Sequence, residues 1–145
     1  FLILTITFIS CEEEEDLNPN YTFSCIIDGS DFNTTETNIE HLSDNLSIIA
    51  TNHSYTITIK IEDINTRSAG EVIEFDKVNL GMVNTNNLVY SNTTFDPSKG
   101  NITITSLDLT AGEVSGTFFF EAKEVVPPYL DIIQVSAGIF SNISF

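Results

Sequence analysis

Apolar and polar side chains alternate along most of this chain with a period of two. Tyr55-Thr56-Ile57-Thr58-Ile59-Lys60-Ile61-Glu62 puts Tyr and Ile on one side and Thr, Lys and Glu on the other, the mark of a strand with one buried face. Phe23, Cys25 and Ile27 alternate in the same way. Ile102 and Ile104, then Leu107 and Leu109, repeat the pattern with a change of phase at Thr105-Ser106, which predicts a β-bulge. Val114, Gly116, Phe118, Phe120 and Ala122 share one face of another strand. Ile133, Val135, Ala137 and Ile139 are expected to share one face of the last.

The residues between these runs are turn formers. Asp28-Gly29 supplies the positive φ of a tight hairpin, and Asn52-His53 separates the run Leu46–Thr51 from the strand that follows. Asp96-Pro97-Ser98-Lys99-Gly100 and Thr110-Ala111-Gly112 read as further turns. The Asn/Thr-rich stretch from Asp31 to Asp44 is compatible with a loop, a short helix or an irregular edge strand. No long apolar stripe of helical period occurs, and β-branched residues dominate. The expected class is all-β, an antiparallel β-sandwich, with an up-and-down β-barrel as the alternative closure.

The front of the chain is of another kind. Phe1 to Ser10 is apolar and too short to cross a membrane as a helix, but it fits the apolar part of a secretory signal. The initiator Met and basic segment of such a signal are expected upstream. Phe8-Ile9-Ser10-Cys11 resembles the lipobox of bacterial lipoproteins, with Phe8 where Leu is usual. The resemblance implies that Cys11 becomes the lipidated N-terminus. Glu12-Glu13-Glu14-Glu15-Asp16 follows at once, and five consecutive carboxylates do not end a core strand. The run is suited to a self-repelling tether. It also resembles the export signal of Bacteroidetes-type surface lipoproteins, which implies the outer membrane and cell-surface display; a periplasm-facing anchor is the alternative. The expected organisation is a signal remnant at 1–10, a lipidated Cys and acidic tether at 11–20, and one β domain at 21–145.

Charge narrows the function. Five Lys and Arg against 21 Asp and Glu give −16 over 145 residues, so a phosphate backbone would be repelled and nucleic acid is excluded as a partner. No basic stripe serves anionic lipid, so membrane contact is expected through Cys11 alone. The tether holds five of the 21 carboxylates, leaving −11 on the rest. With 41% hydrophobic and 18% charged residues, the chain can still bury a core. The second cysteine, Cys25, lies between Phe23 and Ile27 on their face and is expected to be a buried, inert thiol.

A search for chemistry yields little. His53 falls in a predicted hairpin tip, and Glu40, His41 and Asp44 lack the paired Cys or His of a structural zinc site. No Gly-x-Ser-x-Gly elbow and no glycine-rich phosphate loop occur. The carboxylates fall in tether, turns and outward strand positions, which disfavours a glycan-processing hydrolase. The protein is therefore expected to be no enzyme and to use no cofactor. Asp28, Asp31 and Asn33 place three oxygen side chains around a turn, a weak calcium candidate that turn formation explains better. In Phe118-Phe119-Phe120 the outer two are expected in the core, with Phe119 against a second layer or beneath a loop. Tyr90 and Tyr129 are the candidates for exposed ligand-stacking rings, Tyr129 on the stiff segment after Val125-Val126-Pro127-Pro128.

Four stretches carry a further resemblance. They are Phe23 to Phe32 with its Asp-Gly turn, Gly70-Glu71-Val72-Ile73-Glu74-Phe75, Glu113 to Ala122 with Ser-Gly-Thr-Phe, and Val135 to Ile143 with its Gly-x-Phe ending. Together they are similar to a family of Bacteroidetes-type lipoproteins of unknown function, with Phe32 where Trp is frequent. The resemblance implies fold and location and supplies no catalytic residue. The expected function is an envelope lipoprotein, a surface-displayed binding or accessory module for an unknown glycan or protein. A structural envelope protein that binds another protein is the alternative.

Overall fold

The structure, a computed structural model, describes residues 22–94, 99–127 and 131–145. Its elements are β1 (Phe23–Ile27), β2 (Ser30–Thr34), β3 (Thr37–Leu42), β4 (Asn45–Thr51), β5 (Thr56–Ile61), β6 (Val72–Glu74), β7 (Leu80–Asn84), β8 (Val89–Ser91), β9 (Gly100–Asp108), β10 (Glu113–Glu124) and β11 (Ile132–Ser144). Two single turns of 3-10 helix, Ile64–Thr66 and Asn92–Thr94, complete the described residues. The fold is all-β and antiparallel throughout.

The strands form one sheet with the order β2-β1-β11-β10-β8-β7-β5-β4-β3. Its two ends, β2 and β3, are neighbours in sequence, so the path returns on itself through Thr35-Glu36. The corner is fastened by the Thr34 hydroxyl, which donates to the Thr51 carbonyl at 2.7 Å, and by the Thr51 N–H, which donates to the Glu36 carbonyl at 3.1 Å. On the side of β10 away from β11, Glu113–Phe120 pairs with β9 and Lys123-Glu124 pairs with β8; β6 then pairs with β9. The sheet is nearly closed around one core, and both sandwich and barrel describe it.

The stretch Asp31 to Asp44 is thus two edge strands and a tight turn. Its apolar signal is weak because β2 and β3 each pair on one side only, and β3 is mostly exposed. The Asp28-Gly29 turn has φ of 47° and 81°, as a two-residue hairpin with positive φ at both positions requires.

The core is organised by two glycine–phenylalanine triplets. Gly116-Thr117-Phe118 on β10 runs antiparallel to Gly138-Ile139-Phe140 on β11, with Gly116 opposite Phe140 and Phe118 opposite Gly138. Each ring lies over the glycine across from it, and a Cβ on Gly138 would come within 2.5 Å of the Phe118 ring. Gly81 on β7 gives the same room to Phe120, at 2.7 Å. The rings then pack on one another: Phe118 and Phe140 are stacked at 6.3 Å, Phe23 lies 5.1 Å from Phe118, and Phe75 meets Phe120 edge-on at 5.5 Å.

The predicted bulge in β9 is present: Ser115 faces Ser106 and Gly116 faces Ile104, leaving Thr105 unpaired. Leu109 does not continue the inward face. It lies beyond the end of β9 in a turn whose Thr110 and Ala111 N–H groups donate to Asp108 Oδ1, and it is exposed. The last strand also departs from expectation. Ile133 and Val135 point inward, but a bulge at Ser136-Ala137 shifts the phase, so Gly138 and Phe140 are inside and Ala137 and Ile139 are outside. A second bulge near Asn142 restores Ile143 to the core. Ala137 and Asn142 take φ of 48° and 50°, the left-handed conformation that lets a bulge absorb one residue.

Two stability outcomes follow from this packing. Phe118→Ala and Phe120→Ala should each cost about 3–5 kcal/mol in urea unfolding, and Phe119→Ala, on the outer face, less than about 1 kcal/mol. Ala137→Gly should leave the fold intact and raise stability by up to about 1 kcal/mol, because a left-handed residue with a Cβ is strained by roughly 1–2 kcal/mol.

Candidate binding face

Because paired residues on antiparallel strands project to the same side, the register defines what the outer surface displays. One row crosses six strands: Asn33 on β2, Ser24 on β1, Ile139 on β11, Thr117 on β10, Thr103 on β9 and Val72 on β6. It holds no charged residue. The next row reads Asp31, Ile26, Ser136-Ala137, Phe119, Asn101 and Glu74, with charges only at its two ends. Beyond it, Lys99 and Glu121 form an ion pair at 2.6 Å.

Phe119 is the large aromatic of this face, 51% exposed. Beside it lies an open depression of about 320 Å³ lined by Asn101, Thr117, Phe118, Phe119, Ala137, Gly138 and Ile139. It lies at the bulge in β11: Phe119 falls between the pairs Phe118–Gly138 and Phe120–Val135, where the two residues Ser136 and Ala137 stand against one on β10. Phe119 is under neither a second layer nor a loop among the described residues.

The residues singled out from the sequence are distributed differently. Tyr90 is in the core, 6% exposed, and is not a stacking platform. On β8 it pairs with Val83 and Glu124, both buried, so its phase is inward. Burial pushes its phenol above the usual range, and the carboxylates of Asp131, Glu124 and Asp28, with Tyr55, push the same way. Tyr129 lies outside the described residues, as do Cys11 and Glu12, Glu13, Glu14, Glu15 and Asp16. Asp28 Oδ1 accepts the Gln134 N–H at 2.8 Å, while Asp31 and Asn33 project outward from β2. The turn carboxylate thus ties β1 to β11. His41 meets Phe145 edge-on at 5.0 Å, and Asp44 accepts a hydrogen bond from Asn65 at 2.6 Å. No group of three or more His, Cys, Asp or Glu side chains that could hold a metal occurs among the described residues.

Sequence reasoning put Phe119 on the face opposite Phe118 and Phe120, in phase with Ser115 and Thr117, but expected a second layer or a loop to cover it, and it is exposed. What was hidden was the bulge that places a hollow beside it.

A family model described as "Domain of unknown function (DUF6252)" matches residues 20–144. The chain belongs to the DUF6252 family. No curated protein and no solved structure matches it.

The DUF6252 domain keeps Cys25 on the inside face of β1, where burial pushes its thiol from 9.0 to about 12. The folded state holds the neutral thiol, so the stability this contributes is complete below about pH 9 and is lost as the pH rises toward 12. Iodoacetamide should therefore leave Cys25 unmodified in the native domain at pH 8 and alkylate it in urea. Cys25→Ala should flatten the decline of stability between pH 9 and 11; an unchanged slope would assign that decline to other groups.

Proposed function

We propose that this protein is a lipid-anchored, non-catalytic envelope protein whose β domain is a binding module. In this reading the lipid is on Cys11, Glu12–Asp16 is both tether and export address, and the domain is displayed at the surface of an outer membrane. The observation that carries the binding role is the uncharged outer face centred on Phe119. On a chain of −16, two adjacent rows crossing six strands keep their charges at the margins, around a half-exposed aromatic and a hollow. Exposed large apolar groups gathered in a concave, uncharged site are a feature of ligand surfaces. The lipobox-like Phe8-Ile9-Ser10-Cys11, the acidic run after it and the resemblance to Bacteroidetes-type lipoproteins support the location.

A structural role toward another envelope protein is the second reading. It is favoured by β3, which pairs with β4 on one side only and ends in Leu42, 73% exposed.

Cys11→Ala should release the protein from the membrane fraction of its native cell; retention there would overturn the lipoprotein assignment. Replacing Glu12–Asp16 with Ala and Ser should leave the melting temperature unchanged and reduce labelling of intact cells by an impermeant reagent. Unaltered labelling would leave the run as a tether only.

A further inference from the structure

We infer that the ligand of the Phe119 face is an uncharged polysaccharide. This rests on the binding-module reading and names the class of molecule that the face would take. The first argument is electrostatic. A chain of −16 repels an anionic polymer, and a cationic partner would be drawn to the carboxylate-rich surfaces and not to two rows whose only charges, Asp31 and Glu74, stand at the ends of one of them. An uncharged ligand meets neither obstacle.

The second argument is the polar chemistry of the face. Asn101, Thr103 and Thr117 make no side-chain hydrogen bond to the protein among the described residues, so an amide and two hydroxyls stand free around the Phe119 ring. Sugars present the complement, an apolar C–H face that lies on an aromatic ring and an equatorial girdle of hydroxyls. A protein partner would ask for a different composition. Interface cores are enriched in aromatic residues, Met and Arg, whereas these rows offer Asn, Ser and Thr around a single Phe. A second copy of the chain would bring like charge against like.

The third argument is shape. Neighbouring strands lie roughly 4.8 Å apart, so the row from Asn33 to Val72 spans about 24 Å of outer surface. The hollow is open, with Ile139 and Phe119 on its walls. An open strip of this length suits consecutive units of an extended chain better than one small molecule.

Affinity electrophoresis of the full-length chain in mild detergent tests the inference, with dextran, a β-glucan and a galactomannan as uncharged polymers and alginate and heparin as anionic ones. At least one uncharged polymer should retard the protein, and neither anionic polymer should. Phe119→Ala should weaken retardation about tenfold, the loss expected when a half-exposed ring no longer covers the ligand. Phe119→Tyr should preserve it, and Thr117→Glu should abolish it with an unchanged melting temperature. Absence of retardation by every uncharged polymer, or full retardation of Phe119→Ala, overturns the inference. A photo-crosslinker in place of Phe119 on intact cells separates the two levels of the claim. A glycan adduct supports both levels. A protein adduct overturns the ligand class and leaves the binding module standing, and no adduct of any kind overturns both.

Discussion

The reciprocal seating of Phe118 over Gly138 and Phe140 over Gly116 is the constraint on which the rest of the structure depends. A phenylalanine ring projecting into a nearly closed sheet must lie against the opposite strand, and a Cβ there would collide with it. Placing glycine directly across from each ring lets two large side chains lie flat against neighbouring backbone, at the density a protein interior requires. The register of β10 against β11 is therefore set by four residues, and a slip by one would leave rings facing Cβ atoms and reverse every side chain on the strand. Phe23, Phe75 and Phe120 complete an aromatic cluster that ties β1, the residue after β6, and β10 to this centre.

The same arrangement generates the outer face. Thr117 and Ile139, the middle residues of the two triplets, are paired and must point outward because their neighbours point inward. The bulge at Ser136-Ala137 is needed to bring Gly138 opposite Phe118 after Ile133 and Val135 have faced the core. Its extra residue, Ala137, lines the hollow beside Phe119. Core and candidate site are thus two sides of one strand pairing, and the left-handed backbone of Ala137 is tolerated because the core holds it in place.

Electrostatics sets the surrounding field. Lys60, Arg67 and Lys99 are each within 3.1 Å of a carboxylate, with Glu62, Glu71 and Glu121 respectively. The Arg67 guanidinium, bonded to Glu71, holds that carboxyl below its ordinary range against the opposing effect of burial. With five Lys and Arg in all, and three of them engaged locally, the surface remains strongly acidic. A face without charge stands out on such a molecule more than it would on a neutral one.

Periodicity and turn-forming residues were enough for the strand class, the turn at Asp28-Gly29, the bulge at Thr105 and the inward set of β10, because each depends on residues adjacent in the chain. The burial of Cys25 followed from its phase between Phe23 and Ile27. The sequence also contained the two glycine–phenylalanine triplets, though not which ring meets which glycine. Three things were decided only by tertiary structure. Tyr90 went into the core because β8 is only three residues long, too short for alternation to show, and its phase is set by its pairing with β7 and β10. Ile139 turned outward because an alanine took a left-handed conformation, which no side-chain alternation encodes. The two rows with uncharged centres exist because strands far apart in sequence were paired in one register, and registry between distant strands is a property of packing, not of any single segment.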